Sequence, residues 1–341
     1  MSKLYSNEIV FRGHPDRVCD QISSAILYEC VKQDKHTRAG IETVGGKGKI
    51  FITGEITTKA IIDVEAIVKR VLHDCGYDPN KYEIIDNLGK QSHDIALGVD
   101  YGGAGDQGMM FGYACNDTKE KLPVAMVILQ RFARAYDLIR TQRPDIFYPD
   151  GKAQITGVYD DDFKLREIRT FLCSYQNSET QREYSDNYLK DIITKICDDY
   201  GIKVSEFLFN PTGRFNIGGF EGDAGLTGRK IVVDAYQSFA NVGGGCMNGK
   251  DATKVDFSAS HKARQLAKRF LNQYNLRWCE VQLSYAIGKV EPLAIYIDSD
   301  KGNIEPPVDL YKECSPSQII KDLDLLNIDY EELAKYGHFT D

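Results

Sequence analysis

The chain has 341 residues, is 42% hydrophobic and 27% charged, and carries a formal net charge of −8. This is the composition of a folded globular protein of two or three domains, and its acidity argues against a nucleic-acid coat. No apolar run approaches membrane-spanning length, and the opening MSKLYSNEIV lacks the apolar core of a signal peptide, so a cytoplasmic enzyme is the expectation. Nine cysteines with no C-x-x-C spacing support neither a structural zinc site nor a disulfide framework, which leaves reduced thiols.

The first predicted element is a helix over 16–34, with Pro15 in its first turn and Val18, Ile22, Ala25 and Ile26 on one face. GHPDR (13–17) leads into it. His14 suits contact with a phosphate or a leaving oxygen, Asp16 suits a metal, and a helix N-terminus favours anions. A capped helix start around a buried histidine accounts for the segment equally well. KIFITGEIT (49–57), rich in β-branched residues, predicts a strand. Val64, Ile67, Val68, Val71, Leu72 and Cys75 form the stripe of a helix over 63–75, with Gly76 as its C-terminal cap.

GAGDQG (103–108) satisfies G-x-G-x-x-G, but the dinucleotide fingerprint must open a helix, and MMFGYAC follows with strand character. The glycines let the backbone approach a ligand, with Asp106 and Gln107 as polar hands, or simply make a tight loop. A helix is predicted over about 122–140, then strands over 153–159 and 165–175, and a helix over 186–200 closed by Gly201. Asp150 and Lys152 precede the first of these strands in what is, taken alone, an ordinary turn.

The stretch NPTGRFNIGGFEGDAGLTGRKIVVD (210–234) holds six glycines, so backbone shape matters there more than side-chain bulk. It delivers Asp223, Arg229 and Lys230, and IVVDAY (231–236) predicts a strand. GGGCMNGKDATKVD (243–256) spells G-x-x-x-x-G-K from Gly244, but Asp251 stands where a P-loop needs Ser or Thr, and the next helix begins only near Ser258. Lys250 and Lys254 nevertheless suit phosphate, and Asp256 is a hard oxygen ligand for magnesium. A Gly-rich surface turn is the alternative. A helix over 258–275, strands at CEVQLSYAIG and LAIYID, and helix-forming DLDLLN and EELAKYG complete the chain.

Strands outnumber helices and often come in neighbouring pairs, which predicts an α/β (α+β) fold of mixed or antiparallel sheets covered by helices. The pattern divides into three weakly similar units: 1–100, 101–221 and 222–341. There is no nucleophile elbow, no H-E-x-x-H and no kinase H-R-D or D-F-G set. Clustered cations outnumber candidate nucleophiles, which directs attention to a polyanionic substrate.

GHPD, TGEITT, GKQSHDI, GAGDQGMMFGYA, NPTGRF, GDAGLTGRK, GGG…GKD…KVD, SYAIG and YGHF occur in this order. The ordered set, spanning almost the whole chain, resembles the S-adenosylmethionine synthetases, or methionine adenosyltransferases. The resemblance implies three similar domains about a pseudo-threefold axis. It also implies attack of the methionine sulfur on C5′ of ATP, with loss and cleavage of tripolyphosphate. Residue by residue, His14 matches the group near the oxygen bridging ribose and triphosphate, and Asp16 and Asp256 match magnesium ligands. Lys152, Arg229, Lys230, Lys250 and Lys254 match the cations around the polyphosphate. Glu42 matches the residue associated with potassium. Glu55 and Gln91 match the methionine pocket, Asp106 and Asp223 match polar contacts to methionine and ribose, Phe215 matches the ring against adenine, and Asp150 matches an acidic active-site residue. Two Mg2+ and one K+ per site are implied, as is a homodimer with shared sites that often pairs into a tetramer.

The sequence also departs from the family. R-G-H-P-D-R stands for E-G-H-P-D-K, so Arg12 reverses a charge next to His14 and Arg17 replaces a lysine. The connection between Gln91 and Gly105, with VDYGG at its end, is short where relatives carry a longer gating loop, which implies weaker closure. Cys246 in GGGCMNGKD is a candidate redox-sensitive thiol or a merely packed one, and the chain stops at YGHFTD without the longer tail.

Overall fold

Alternating burial along extended segments builds three sheets in the computed structural model, which describes residues 3–90 and 102–340. The first sheet orders β1 (Lys3–Val10), β6 (Phe147–Tyr159), β7 (Leu165–Asn177) and β8 (Val204–Phe209). The second orders β4 (Glu83–Gly89), β3 (Lys49–Thr57), β2 (Arg38–Gly46) and the two-residue β9 (Gly225–Leu226). The third orders β11 (Ala294–Ser299), β10 (Trp278–Tyr285) and β5 (Gly108–Cys115). Among the described residues only β3–β4 and β7–β8 pair in parallel; the other pairings are antiparallel. The expected α/β architecture of mixed or antiparallel sheets covered by helices is therefore observed, the first two sheets being mixed and the third antiparallel.

Sheet membership jumps along the chain. β1 pairs with β6 in a register that sets Val10 opposite Lys152, and β9 pairs with β2 with Leu226 opposite Val44. These two pairings bring the ends of three distant segments to one place, the N-terminus of α1 (Pro15–Gln33).

Helices close the sheets into two apolar cores. α3 (Val124–Gln142) covers β6 and β1, and α4 (Arg182–Asp198) packs on α3 and β8. Phe11, Phe132, Phe147, Phe171 and Tyr175 fill that core. The other core joins the second and third sheets through α1, α2 (Val64–Asp74) and α7 (Val255–Gln273). α2 behaves as its stripe predicts: Ile67, Val68, Val71 and Leu72 are buried, the Asp63 carboxylate accepts from Ala66 N at 2.9 Å, and Gly76 follows with φ +90°.

Three sequence expectations are corrected. α1 is buried on all sides from Pro15 to Leu27, not along one face, because Asp16, Arg17, Asp20, Gln21, Ser23 and Ser24 find hydrogen-bond partners inside the protein. IVVDAY is not a strand. Ile231–Asp234 forms a single helical turn, α6, after the equally short α5 (Gly219–Gly222). Val233 through Gln237 are buried in succession, a pattern that strand alternation cannot supply, and the turn aims Asp234 at Arg17. DLDLLN is mostly turn, because α9 (Pro316–Asp322) ends there and Asp324 adopts φ +49°. α9 follows α8 (Asp309–Glu313), and EELAKY lies in α10 (Tyr330–Tyr336).

α7 crosses β5 at Gly112, where a Cβ would lie 1.9 Å from the Ala263 carbonyl carbon. Both neighbours there are backbone and cannot swing aside. Gly112→Ala is expected to destabilise the fold by ~2 kcal/mol or more, as overpacking does. Urea unfolding measures this, and an unchanged midpoint would show that helix and strand can separate at no cost.

Candidate active site

The pairing of β1 with β6 continues past the strand, since Phe11 N–H donates to Gly151 O at 2.9 Å. The next residues turn into α1 with His14 as N-cap, and the His14 Nδ1 accepts the Asp16 N–H at 3.2 Å. His14 thereby lines a cleft of ≈ 270 Å³ together with Asp150, Lys152, Ser174, Phe215, Ile217 and Asp223. Residues from the glycine-rich stretch form one wall: Gly219 N–H donates to the Asp150 carboxylate at 2.8 Å. Phe215 is half-buried, while Lys152 and Asp223 are exposed to the opening.

Asp16 lies in the first turn of α1 and its carboxylate is fully buried. One oxygen accepts the Leu226 N–H at 2.9 Å and lies 3.5 Å from Arg229 Nε. The other accepts from Lys230 Nζ at 2.5 Å. The two-residue strand β9 supplies the first contact and the loop after it supplies the two cations. Six predicted residues of the polyphosphate and adenosine set thus meet around one helix end: His14, Asp16, Asp150, Lys152, Arg229 and Lys230. Phe215 and Asp223 line the same cleft.

A second group forms where the segment before α7 runs along β2. Gly249 O accepts the Ile41 N–H at 2.9 Å, and Lys250 bridges Gly40. Lys250 is ion-paired with Asp256, and Lys254 Nζ donates to Glu55 Oε1 at 2.8 Å. Glu42 is two residues from Gly40 on the same strand, and its charge acts on Lys250, as does that of Asp106. This arrangement explains the P-loop look-alike. Asp251 does not face a phosphate: its carboxylate accepts from Ala39 N at 2.9 Å and from Thr253 N at 2.8 Å, fastening the segment to β2. Of the three glycines, Gly245 lies against the Asp256 carboxylate, where a Cβ would come within 2.0 Å of an oxygen. GAGDQG likewise opens no helix, because β5 starts at Gly108. Gln91, and most of the short connection after it, lie outside the described residues.

Burial and charge tune the groups. Burial, then the positive charge of Lys230, push His14 down to about 4. The ring is neutral at pH 7, and with Nδ1 accepting, its proton is on Nε2. Burial raises Asp150 to about 6 against the hydrogen bonds from Gly219 and Gly151, with the Asp223 charge adding to the rise. Burial lifts Glu42 above the usual carboxylate range, opposed by Lys250. Lys250 itself is held above its ordinary value: burial would lower it, but Asp256 more than offsets this.

Two of the departures noted in the sequence, Arg12 and Cys246, find partners in the structure. Arg12 faces away from His14, with Nε donating to Gln21 at 2.8 Å and Nη1 3.4 Å from Asp137. Cys246 is partly buried, burial raises its thiol well above its ordinary value, and its sulfur is bonded to the Asn248 backbone, which favours the packed reading. What sequence reasoning missed is a buried polar chain behind the site. Arg17 is ion-paired with both Asp20 and Asp234, Asn248 donates to Asp234 at 3.0 Å, and His338 bonds Asn248 at 2.8 Å. The one available signal was the spacing of Asp16 and Asp20 along α1, which reads as a solvated face when the helix is taken as amphipathic.

Comparison with known proteins follows the same lines. Three family models match: the S-adenosylmethionine synthetase N-terminal domain over residues 2–93, the central domain over 101–215 and the C-terminal domain over 217–341. The chain is 40% identical to an S-adenosylmethionine synthase of Finegoldia magna over 365 aligned residues, covering 98% of this chain and 93% of that one. It is 39% identical to one of Staphylococcus epidermidis over 373 aligned residues, covering 99% and 92%. The chain belongs to the S-adenosylmethionine synthetase family, whose activity is that of a methionine adenosyltransferase.

Burial holds His338 down to about 3, with Arg17 adding to the effect. A ring kept neutral in the folded chain takes its proton only on unfolding, below the ordinary value of 6.5. Its contribution to stability is therefore present at pH 7 and is lost as pH falls from 6.5. His338→Gln keeps a donor but cannot take the proton. The stability advantage of the parent over this variant is expected to shrink by about 1.4 kcal/mol per pH unit below 6.5. Urea titrations at pH 7.5, 6 and 5 measure it; a constant difference would mean that the ring is protonated in the folded chain.

Proposed function

We propose that this member of the S-adenosylmethionine synthetase family works by a single displacement followed by hydrolysis of the leaving group. The methionine sulfur forms its bond to C5′ of ATP as the C5′–O5′ bond breaks, and that electron pair leaves with the whole tripolyphosphate. The sulfur becomes a sulfonium, and the tripolyphosphate is then cleaved to phosphate and diphosphate before release. The observation that carries this reading is the surroundings of His14: a neutral ring with its proton on Nε2, in a cleft with Lys152, beside Arg229 and Lys230. The nucleophile belongs to the substrate, so the protein's work is alignment and stabilisation of the departing negative charge.

The roles divide accordingly. Phe215 packs on adenine, while Asp223 and Asp150 contact the nucleoside. His14 donates through Nε2 to the oxygen leaving C5′. Lys152, Arg229, Lys230, Lys250 and Lys254 hold the polyphosphate, and Glu55, Gln91, Asp106 and Lys254 receive methionine. Among the described residues no group of three or more His, Cys, Asp or Glu converges on a metal position. Asp16 and Asp256 are instead single carboxylates, which fits Mg2+, an ion commonly held by one or two carboxylates with substrate phosphates and water. Two Mg2+ would neutralise the departing polyphosphate, and K+ would be held by the half-buried oxygens of Glu42. The nine unpaired thiols suit a reducing compartment, the cytoplasm.

The cations fall into two groups in one chain, one around Asp16 and one around Asp256. The second adjoins a sheet face with Val44 41% exposed, and Met109 on β5 is 55% exposed. We take this as support for a homodimer in which each site joins the first group of one subunit to the second group of the other.

Incubation with ATP, methionine, Mg2+ and K+ is expected to yield S-adenosylmethionine, phosphate and diphosphate in equal amounts; ADP, or free tripolyphosphate as the end product, would overturn the reading. Lys152→Met should lower kcat by ~10²–10³ with an unchanged melting temperature. Near-normal turnover would remove Lys152 from the mechanism. Co-expressing Lys152→Met with Lys250→Met chains separates shared from private sites. Random pairing makes half the dimers mixed, each with one intact site, so about a quarter of parental activity returns if sites are shared. No recovery would assign both lysines to the same subunit's site.

A further inference from the structure

The end of α2 is closed by two reversed backbone bonds: Gly76 N–H donates to His73 O at 2.8 Å, and Tyr77 N–H donates to Leu72 O at 2.9 Å. This cap fixes where Tyr77 leaves the helix. Its side chain then runs behind the cleft that holds His14 and Asp150, without belonging to the lining. The Tyr77 hydroxyl donates to Gly13 O, the carbonyl of the residue before His14. A carbonyl only accepts, so the direction of this bond is determined. Burial raises the hydroxyl well above the usual tyrosine range, and it keeps its proton at neutral pH.

The same end of the ring supports the opposite wall. Gly219 opens α5 with φ +61°, and a Cβ there would lie 2.4 Å from Tyr77 Cε1 and 2.6 Å from its hydroxyl oxygen. Gly219 N–H is the donor that holds the Asp150 carboxylate at 2.8 Å. Phe220 follows, its ring tilted against that of Tyr77 with centroids 6.2 Å apart. On its far side the Gly13 turn lies against β6, where a Cβ on Gly13 would come within 2.4 Å of the Pro149 carbonyl oxygen. The turn that carries His14 is thus held between Pro149 and one phenol hydroxyl. Removing the hydroxyl releases the turn on that side and takes a donor from a buried carbonyl.

We propose that Tyr77 is a positioning residue for adenosyl transfer: its hydroxyl end holds the His14 turn and the Gly219–Asp150 wall in one arrangement, with the Nε2 proton of His14 set towards the oxygen leaving C5′. This rests on the role given to His14 above. Tyr77 touches no substrate in this reading and acts through the backbone of Gly13 and Gly219. Every contact involved lies within one subunit, on the side of the first cation group, so it serves a shared site as well as a private one. Arg229 and Lys230 are fixed by Asp16 rather than by Tyr77. The defect on losing the hydroxyl is therefore selective: breaking of C5′–O5′ slows, while cleavage of tripolyphosphate is spared.

Tyr77→Phe keeps the ring and removes only the hydroxyl. The parent, Tyr77→Phe, His14→Ala and the double variant are compared in two reactions, formation of S-adenosylmethionine and hydrolysis of added inorganic tripolyphosphate, with a thermal melt as control. His14→Ala is expected to lower kcat for S-adenosylmethionine about a hundredfold. Tyr77→Phe is expected to lower it about tenfold in the parent, but less than about twofold in the His14→Ala background, because its effect passes through His14. Tripolyphosphate hydrolysis by Tyr77→Phe is expected to stay within about twofold of the parent. An equal loss in both backgrounds, an equal loss in both reactions, a parental kcat, or failure of Tyr77→Phe to fold would each overturn the proposal. Near-parental turnover by His14→Ala alone would overturn the role of His14 itself, and this inference with it.

Discussion

A carboxylate with no exposed surface, Asp16, is the point on which the arrangement turns. Burying such a charge is tolerable only when partners surround it, and removing one partner of a buried pair typically costs ~3–5 kcal/mol. Here the partners are the Leu226 N–H, Lys230 and Arg229, all more than two hundred residues away in sequence. The glycine-rich stretch must therefore fold back onto the N-terminus of α1 for the fold to be stable at all. The same requirement brings Arg229 and Lys230 to the place where His14 and Lys152 already are. A stability constraint and the proposed catalytic arrangement are met by one set of contacts.

The chemistry follows from which residue types that constraint collects. Cations are abundant, acids at the proposed site are single rather than clustered, and a histidine stands there that burial and then the nearby positive charges keep neutral. This inventory suits an enzyme that stabilises a departing anion and leaves nucleophilic attack to its substrate. Glycine-rich segments serve this end in more than one way. The GKD stretch imitates a P-loop in letters only, since Asp251 fastens it to β2, and Gly245 lets the backbone lie against the Asp256 carboxylate.

Legibility varied with the kind of signal. α2 was readable because its burial is one-sided and its ends carry Asp63 and Gly76, so periodicity and capping agree. β1, β2, β4, β8 and the two-residue β9 went unassigned in the sequence. β2 contains three glycines, and only three of the eight residues of β1 are buried, so neither shows the β-branched alternation of KIFITGEIT. IVVDAY misled in the opposite direction, because its β-branched letters serve a helical turn that aims Asp234 at Arg17. The ordered motifs named residues that the structure groups around the N-terminus of α1 and along β2, yet Asp20, Asp234 and Asn248 escaped notice, and Arg17 was noted only as a replacement for lysine. Polar side chains are counted as exposed until something shows what satisfies them.

By itself the sequence determined the family, the three-sheet α/β class, the cation-rich chemistry and the failure of two nucleotide-binding look-alikes. These depend on residue identity, local spacing and motif order, all of which are properties of the chain as written. Only the tertiary structure decided that β1 pairs with β6 and β9 with β2, that α1 is buried all round, and that the cations form two groups linked by a buried polar chain. Those outcomes depend on pairings between segments remote in sequence, whose register is set by burial and hydrogen-bond satisfaction, and no local pattern encodes them.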